Sequence, residues 1–122
     1  MITKAVVMSE PGSLSIQPVD LKSPSKEDIV IDINYSGIST GTEKLFYNGK
    51  MPQFPGMGYP LVPGYESTGE VVQAPKDSNL KIGDVVFVPG ADCYSGSVKS
   101  LFGGAAQMII SSPNRLIKID PT

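Results

Sequence analysis

The feature that most constrains the fold of this chain is its content of residues that interrupt helices. Its 122 residues include 13 glycines and 11 prolines, and these are spread along the whole sequence. Glycine and proline disfavour helix interiors and mark turns. We therefore expect short strands joined by turns and loops, within a single domain.

Short apolar or alternating segments, separated by turn residues, predict seven or eight strands. The clearest segment has Ile29, Ile31, Ile33 and Tyr35 at every second position, which predicts a strand with these four side chains on one buried face. Further strands are predicted at residues 3–8, 14–21, 64–74, 85–88, 105–110 and 116–119. Together they predict a mainly β fold, a closed barrel with Greek-key connections.

One short helix is predicted after the strand at residues 29–35. Thr40 and Glu43 have the spacing of a capping box, in which the threonine hydroxyl accepts from the Glu43 amide and the carboxylate reaches back. Asn48 and Gly49 predict the end of the helix. Prolines and glycines then recur through residues 51–63, so this segment is expected to be a fixed, irregular loop.

Charge and residue usage argue against several classes of function. Ten basic and twelve acidic residues nearly cancel, and the lysines are scattered, so we expect no nucleic-acid partner. No stretch approaches the roughly 18 apolar residues of a membrane span, and the first residues are too short an apolar run for a secretory signal. We expect a cytoplasmic protein without a transmembrane segment. Cys93 is the single cysteine, which predicts a free thiol.

The chain contains no histidine. Imidazole is the commonest metal ligand and the commonest general base near neutral pH. With one thiol and no imidazole, we expect neither a catalytic nor a structural zinc site.

Four segments, in order and spacing, resemble the amino-terminal domain of the medium-chain alcohol dehydrogenases, whose barrel is similar to the GroES cochaperonin. These segments are residues 35–40, 62–71, 81–86 and 106–119. The resemblance implies a GroES-like barrel over residues 1–122, with one or two short helices. Ser39 stands where the zinc enzymes have a cysteine, and Tyr65 stands where they have a histidine. Because neutral hydroxyls are poor zinc ligands, the resemblance implies a zinc-free member.

A narrower resemblance links residues 37–43, 55–67 and 101–106 to the bacteriochlorophyllide a dehydrogenases of phototrophic bacteria. That family oxidises the 3-(1-hydroxyethyl) side chain of a bacteriochlorophyll precursor to a 3-acetyl group with a nicotinamide cofactor. The resemblance therefore implies a tetrapyrrole substrate and NAD. The glycine fingerprint of a dinucleotide-binding Rossmann domain is not found, so we expect that domain to lie outside this chain, and the chain alone to be inactive.

The same resemblance marks candidate site residues. Ser39 and Tyr65 are predicted to be catalytic and to carry the proton of the substrate alcohol; capping and space filling are the alternatives. Tyrosine titrates near pH ~10, so Tyr65 would need a nearby cation or donors to act as a base. Thr40 is assigned to substrate binding, with helix capping as the favoured alternative. Glu66 is expected to tie its strand to the cofactor-side domain.

Apolar side chains of the irregular loop form a second candidate site. Met51, Phe54, Met57 and Tyr59 could make a flat, soft wall for a tetrapyrrole, because aromatic and thioether groups suit the face of a large planar ring. The alternative is that the loop packs these side chains on the barrel.

Other functions remain open at this point. One is the lobe of a zinc-free quinone or enone reductase, since that class also has no zinc ligands. Another is a non-enzymatic barrel, such as a cochaperonin subunit or a pigment carrier, although a cochaperonin needs a mobile loop where this chain is rich in proline. A homo-oligomer is also open, because an apolar seam on the barrel could drive association.

Overall fold

A computed structural model of the chain describes residues 1–100 and 102–119. Within these residues there are seven strands, one α-helix and one 3-10 turn at Pro113–Arg115. The elements are β1 (Ile2–Glu10), β2 (Ser13–Asp20), β3 (Ile29–Ser36), α1 (Thr40–Tyr47), β4 (Ser67–Gln73), β5 (Val85–Val88), β6 (Met108–Ser111) and β7 (Ile117–Lys118). The prediction of a mainly β chain with one short helix is confirmed.

The strands form two antiparallel sheets. β1 and β2 form a hairpin, and the other five strands are ordered β6-β3-β4-β5-β7. The hairpin joins the larger sheet through an isolated bridge between Ala5 and Ala106. The amide of Val6 also donates to the carbonyl of Ala105 at 2.8 Å. At this point the hairpin is thus connected to the larger sheet by one short bridge.

The main core lies between the two sheets. Its most deeply buried side chains come from five strands and are β-branched: Val7, Ile29, Ile31, Val71, Val86 and Ile109. Such residues favour strands because they pack well on a pleated surface. A smaller cluster of Met8, Phe46 and Leu61 fixes α1 against the hairpin.

Strand β3 differs from its prediction at its end. Ile29 and Ile31 are buried as expected, but Tyr35 is 79% exposed. The pairing with β4 shifts between Ile33 and Tyr35, so Asn34 is an extra residue on β3. A bulge of this kind breaks the alternation of faces, and it turns Tyr35 outward. The prediction that Tyr35 shares the buried face is wrong.

The start of α1 also differs from its prediction. Ser39 is the N-cap and Thr40 is the first helical residue, so the capping box on Thr40 is wrong. The first turn closes through the backbone, where the Glu43 amide donates to the Ser39 carbonyl at 2.9 Å. The predicted end is confirmed, since Asn48 is the C-cap and Gly49 has a φ of 71°.

Several predicted strands are shorter than their sequence patterns. The strand expected from residue 64 begins at Ser67, and the last one is reduced to Ile117–Lys118. Leu101 of the narrower resemblance, and residues 120–122, lie outside the described residues. No helix in the part of the chain that the structure describes has the length and apolarity needed to cross a membrane.

Candidate active site

The two residues predicted to be catalytic lie in direct contact. The Tyr65 hydroxyl donates to Ser39 Oγ at 2.6 Å, across 26 positions of sequence. Ser39 stands at the mouth of α1, and its side chain makes no capping hydrogen bond with the helix. Tyr65 lies in the turn that leads into β4 and is half-buried. The pair is therefore partly open to solvent or to a ligand.

Backbone contacts hold the two segments together. The amide of Gly37 donates to the carbonyl of Glu66 at 2.6 Å, which extends the β3–β4 pairing by one residue. On the other side of Tyr65, Gly64 has a φ of 107°, a conformation that L side chains rarely adopt. The amide of Gly104 donates to the Gly64 carbonyl at 2.8 Å. The position of Tyr65 is thus fixed by main-chain geometry on both sides.

The ring of Tyr65 packs against Phe102. The ring centroids are 4.8 Å apart and the planes are tilted by 47°. Aromatic pairs at this separation are attractive in offset or tilted arrangements. Phe102 thereby limits the directions in which the Tyr65 hydroxyl can point. Phe102 is not among the predicted site residues, because nothing in its local pattern indicates a partner 37 residues away.

Two carboxylates lie near the pair. Glu66 is exposed and precedes β4 by one residue, so its predicted place within a strand is wrong. Burial raises the pKa of Glu43, the charge of Glu66 raises it further, and the backbone N–H of Ser39 opposes both effects. The expected role of Glu66 in contact with a cofactor-side domain stays a prediction.

The donor set around Ser39 does not fit a zinc ion. It consists of the neutral hydroxyls of Ser39 and Tyr65 and the carboxylates of Glu43 and Glu66. Among residues 1–100 and 102–119, no three histidine, cysteine, aspartate or glutamate side chains come close enough to hold a metal. Because zinc prefers thiolate and imidazole, these residues are a poor ligand set for it.

Thr40 lines a cavity beside the turn that carries Ser39. The cavity has a volume of about 570 Å³ and lies between the β1–β2 hairpin, α1 and the turn before α1. Its lining is mainly apolar and includes Val6, Met8, Leu14, Ile38, Tyr47 and Pro63. We call it the hairpin–helix cavity. No motif in the sequence indicates this cavity, because its walls come from segments that only the fold brings together.

The four side chains of the predicted loop wall lie together, but they face the protein. Met51, Phe54, Met57 and Tyr59 are half-buried and pack on the cluster of Met8, Phe46 and Leu61. The Tyr59 hydroxyl donates to the carbonyl of Phe46. The Phe54 ring meets the edge of Phe46 with centroids 6.4 Å apart. These contacts give the side chains a packing role, and the substrate wall stays a prediction.

Cys93 is a free, buried cysteine. Burial raises the pKa of its thiol, which keeps it in the weakly nucleophilic protonated form. The neighbouring Tyr94 hydroxyl donates to the Gly103 carbonyl at 2.5 Å and helps to anchor that loop. The structure thus gives Cys93 a place in the core.

Comparison with known proteins decides the family. The family model described as the alcohol dehydrogenase GroES-like domain matches residues 25–121. The chain belongs to this family. Its GroES-like domain superposes on the D-arabinose dehydrogenase from Sulfolobus solfataricus with a TM-score of 0.76 and 20% identity, over 100% of this chain and 42% of that one. At such identity the likeness establishes the fold alone.

Two curated relatives are far more similar in sequence. Both bear the name 2-desacetyl-2-hydroxyethyl bacteriochlorophyllide A dehydrogenase. The protein from Rhodobacter capsulatus is 54% identical over 121 residues, which are 99% of this chain and 38% of the relative. The protein from Cereibacter sphaeroides is 52% identical over 125 residues, which are 99% of this chain and 39% of the relative. The chain therefore spans about two-fifths of the length of these relatives.

Proposed function

We propose that the full-length protein is an NAD-dependent oxidoreductase that converts the hydroxyethyl side chain of a bacteriochlorophyllide to an acetyl group. This GroES-like domain would be its substrate-side part. The proposal places the enzyme in bacteriochlorophyll biosynthesis. The chain described here would be inactive by itself, because the sequence contains no dinucleotide-binding fingerprint.

One observation carries the proposal. The chain is 54% and 52% identical, over 99% of its length, to two relatives that share one specific dehydrogenase name. The geometry is compatible with alcohol oxidation, since two hydroxyl groups meet beside a cavity with an apolar lining.

Oxidation of an alcohol to a ketone removes a hydride from the carbinol carbon and a proton from its oxygen. A nicotinamide, when bound, accepts the hydride. We assign the proton to Ser39 and Tyr65, because each hydroxyl can accept one hydrogen bond while donating another. In this scheme the substrate O–H donates to the Tyr65 oxygen, Tyr65 passes its own proton along its hydrogen bond to Ser39 Oγ, and Ser39 releases a proton to water.

Positioning would supply most of the rate acceleration in this scheme. The two hydroxyls are held in place by the main-chain contacts on either side of Tyr65 and by the packing of its ring on Phe102. Holding a reacting oxygen within hydrogen-bonding distance of a fixed acceptor removes the entropy cost of bringing them together. A neutral tyrosine or serine is a weak base, so the rate of proton transfer would increase at high pH.

The test uses the full-length protein with a hydroxyethyl-bearing bacteriochlorophyllide and NAD. We expect NADH to form together with a red shift of the pigment, because the acetyl group conjugates with the ring. NADPH with a small quinone serves as the contrasting assay. Turnover of the quinone without turnover of the pigment would refute the proposal and assign the protein to the quinone reductases.

A further inference from the structure

The hairpin–helix cavity has the size of a small-molecule site. Its volume of about 570 Å³ lies within the range of roughly 300 to 1,000 Å³ that ligand pockets occupy. Two of its apolar wall residues are strongly exposed, Ile38 at 78% and Leu14 at 53%. Large apolar side chains left open around a concave surface indicate a partner that covers them.

The cavity adjoins the turn that carries Ser39. Its lining includes Gly37, Ile38 and Thr40, which lie on either side of Ser39 in the chain. A flat ligand that filled the cavity would therefore lie against this turn.

Charge at the rim favours a particular kind of ligand. Lys44 lines the cavity, and it forms no salt bridge with any of the residues that the structure describes. Glu43 is the other charged side chain of the lining. An ammonium group at the edge of an apolar cavity suits a ligand that is apolar over its face and carries a carboxylate at its periphery. A bacteriochlorophyllide fits this description, since it is a planar macrocycle with a free propionate.

We propose that the hairpin–helix cavity binds the face of the macrocycle, and that Lys44 pairs with the pigment's carboxylate. This inference rests on the proposed function and specifies the substrate subsite. It places the subsite in this cavity and not at the loop of Met51, Phe54, Met57 and Tyr59, whose side chains are used in packing.

The apolar contact is tested in the full-length protein with Ile38→Ser, and Ile82→Ser is the matched control. Ile82 is 70% exposed and lies outside the cavity. We expect Ile38→Ser to raise the KM for the bacteriochlorophyllide about tenfold, because part of the apolar contact area is lost, and to leave kcat within about twofold. The control should change neither constant.

The charge contact is tested by comparing the free acid with its propionate methyl ester. The wild-type protein should prefer the acid in KM by about three- to fivefold, the range of an exposed ion pair. Lys44→Gln should abolish that preference, and Lys26→Gln, at an exposed lysine outside the cavity lining, should keep it.

The outcomes separate the inference from the proposed function. Wild-type protein that turns over the pigment while Ile38→Ser and Lys44→Gln leave KM unchanged would overturn the inference alone. A lowered melting temperature of Ile38→Ser with unchanged KM would assign the cavity to contact with the rest of the protein, and would also overturn it. If the wild type does not oxidise the pigment, the proposed function fails. Titration of pigment absorbance with the same variants then still decides whether the cavity binds the ring.

Discussion

Ser39 occupies the N-cap of α1, yet its hydroxyl is bound by Tyr65 and by no amide of the helix. Serine is common at this position because its side chain can satisfy a free N–H of the first turn. Here the hydroxyl is directed to a residue 26 positions away, at 2.6 Å. Ser39 therefore stands at the N-cap position without capping the helix through its side chain, and measurements of unfolding free energy can test this.

Replacing Ser39 by alanine should cost stability through Tyr65 and not through the helix. The hydrogen bond between the two hydroxyls is part-buried, and such a bond contributes about 0.5–1.5 kcal/mol. In a Tyr65→Phe background that bond is already absent, so Ser39→Ala should there cost less than about 0.5 kcal/mol in urea unfolding. A loss of about 1 kcal/mol or more in that background would mean that the hydroxyl caps the helix in solution.

Tyr65→Phe removes one hydroxyl of the pair and keeps the ring against Phe102. If Tyr65 carries the proton, kcat of the full-length enzyme should fall at least about tenfold, and the pH dependence of kcat should differ from that of the wild type. Tyr35→Phe is the control, because Tyr35 is 79% exposed and does not line the cavity. A pH profile of Tyr65→Phe that superposes on the wild-type profile would remove Tyr65 from the proton path.

Glu43 should titrate above the ordinary range of a glutamate, because burial and the charge of Glu66 both raise its pKa. A raised pKa means that the folded state favours the protonated carboxyl. The associated stability is full below the unfolded-state pKa and is lost as pH rises through the folded-state pKa. NMR titration of the side-chain carboxyl measures the shift directly. Glu66→Gln should lower the pKa of Glu43. An unchanged pKa of Glu43 in this variant would show that solvent screens the two charges from each other.

Gly64→Ala should destabilise the domain and disturb the site. A Cβ at this position would lie 2.7 Å from the amide nitrogen of Ala105, and the φ of 107° is unfavourable for any L side chain. We expect a loss of about 2 kcal/mol or more in urea unfolding. Gly41→Ala is the matched control, since nothing lies within 4 Å of its added Cβ. Because Gly41 is inside α1, that change should stabilise the helix by up to about 1 kcal/mol.

Local patterns predicted the parts of the fold that depend on neighbours in sequence. The alternation around Ile29 and Ile31 identified β3, and Asn48 with Gly49 identified the end of α1. The start of α1 was misplaced by one residue, because Ser39 and Thr40 are both acceptable N-caps and the choice depends on how the preceding strand pairs.

The candidate site could be predicted only in part. The juxtaposition of Ser39 and Tyr65 followed from a family resemblance, since no periodicity connects two residues in separate loops. The hairpin–helix cavity could not be predicted, because it depends on how the β1–β2 hairpin meets α1 in space. Burial of the Met51–Tyr59 side chains likewise depends on Phe46, which only the fold brings beneath them.

The bulge at Asn34 has a consequence for the chemistry of this domain. The extra residue offsets everything that follows it by one position relative to β4, so that Gly37 pairs with Glu66 and Ser39 arrives opposite Tyr65. Without the extra residue the register would place Ser36, and not Gly37, opposite Glu66, and Ser39 would lie one position away from its present place. A single unpaired residue on one strand thus brings the serine oxygen within reach of the tyrosine.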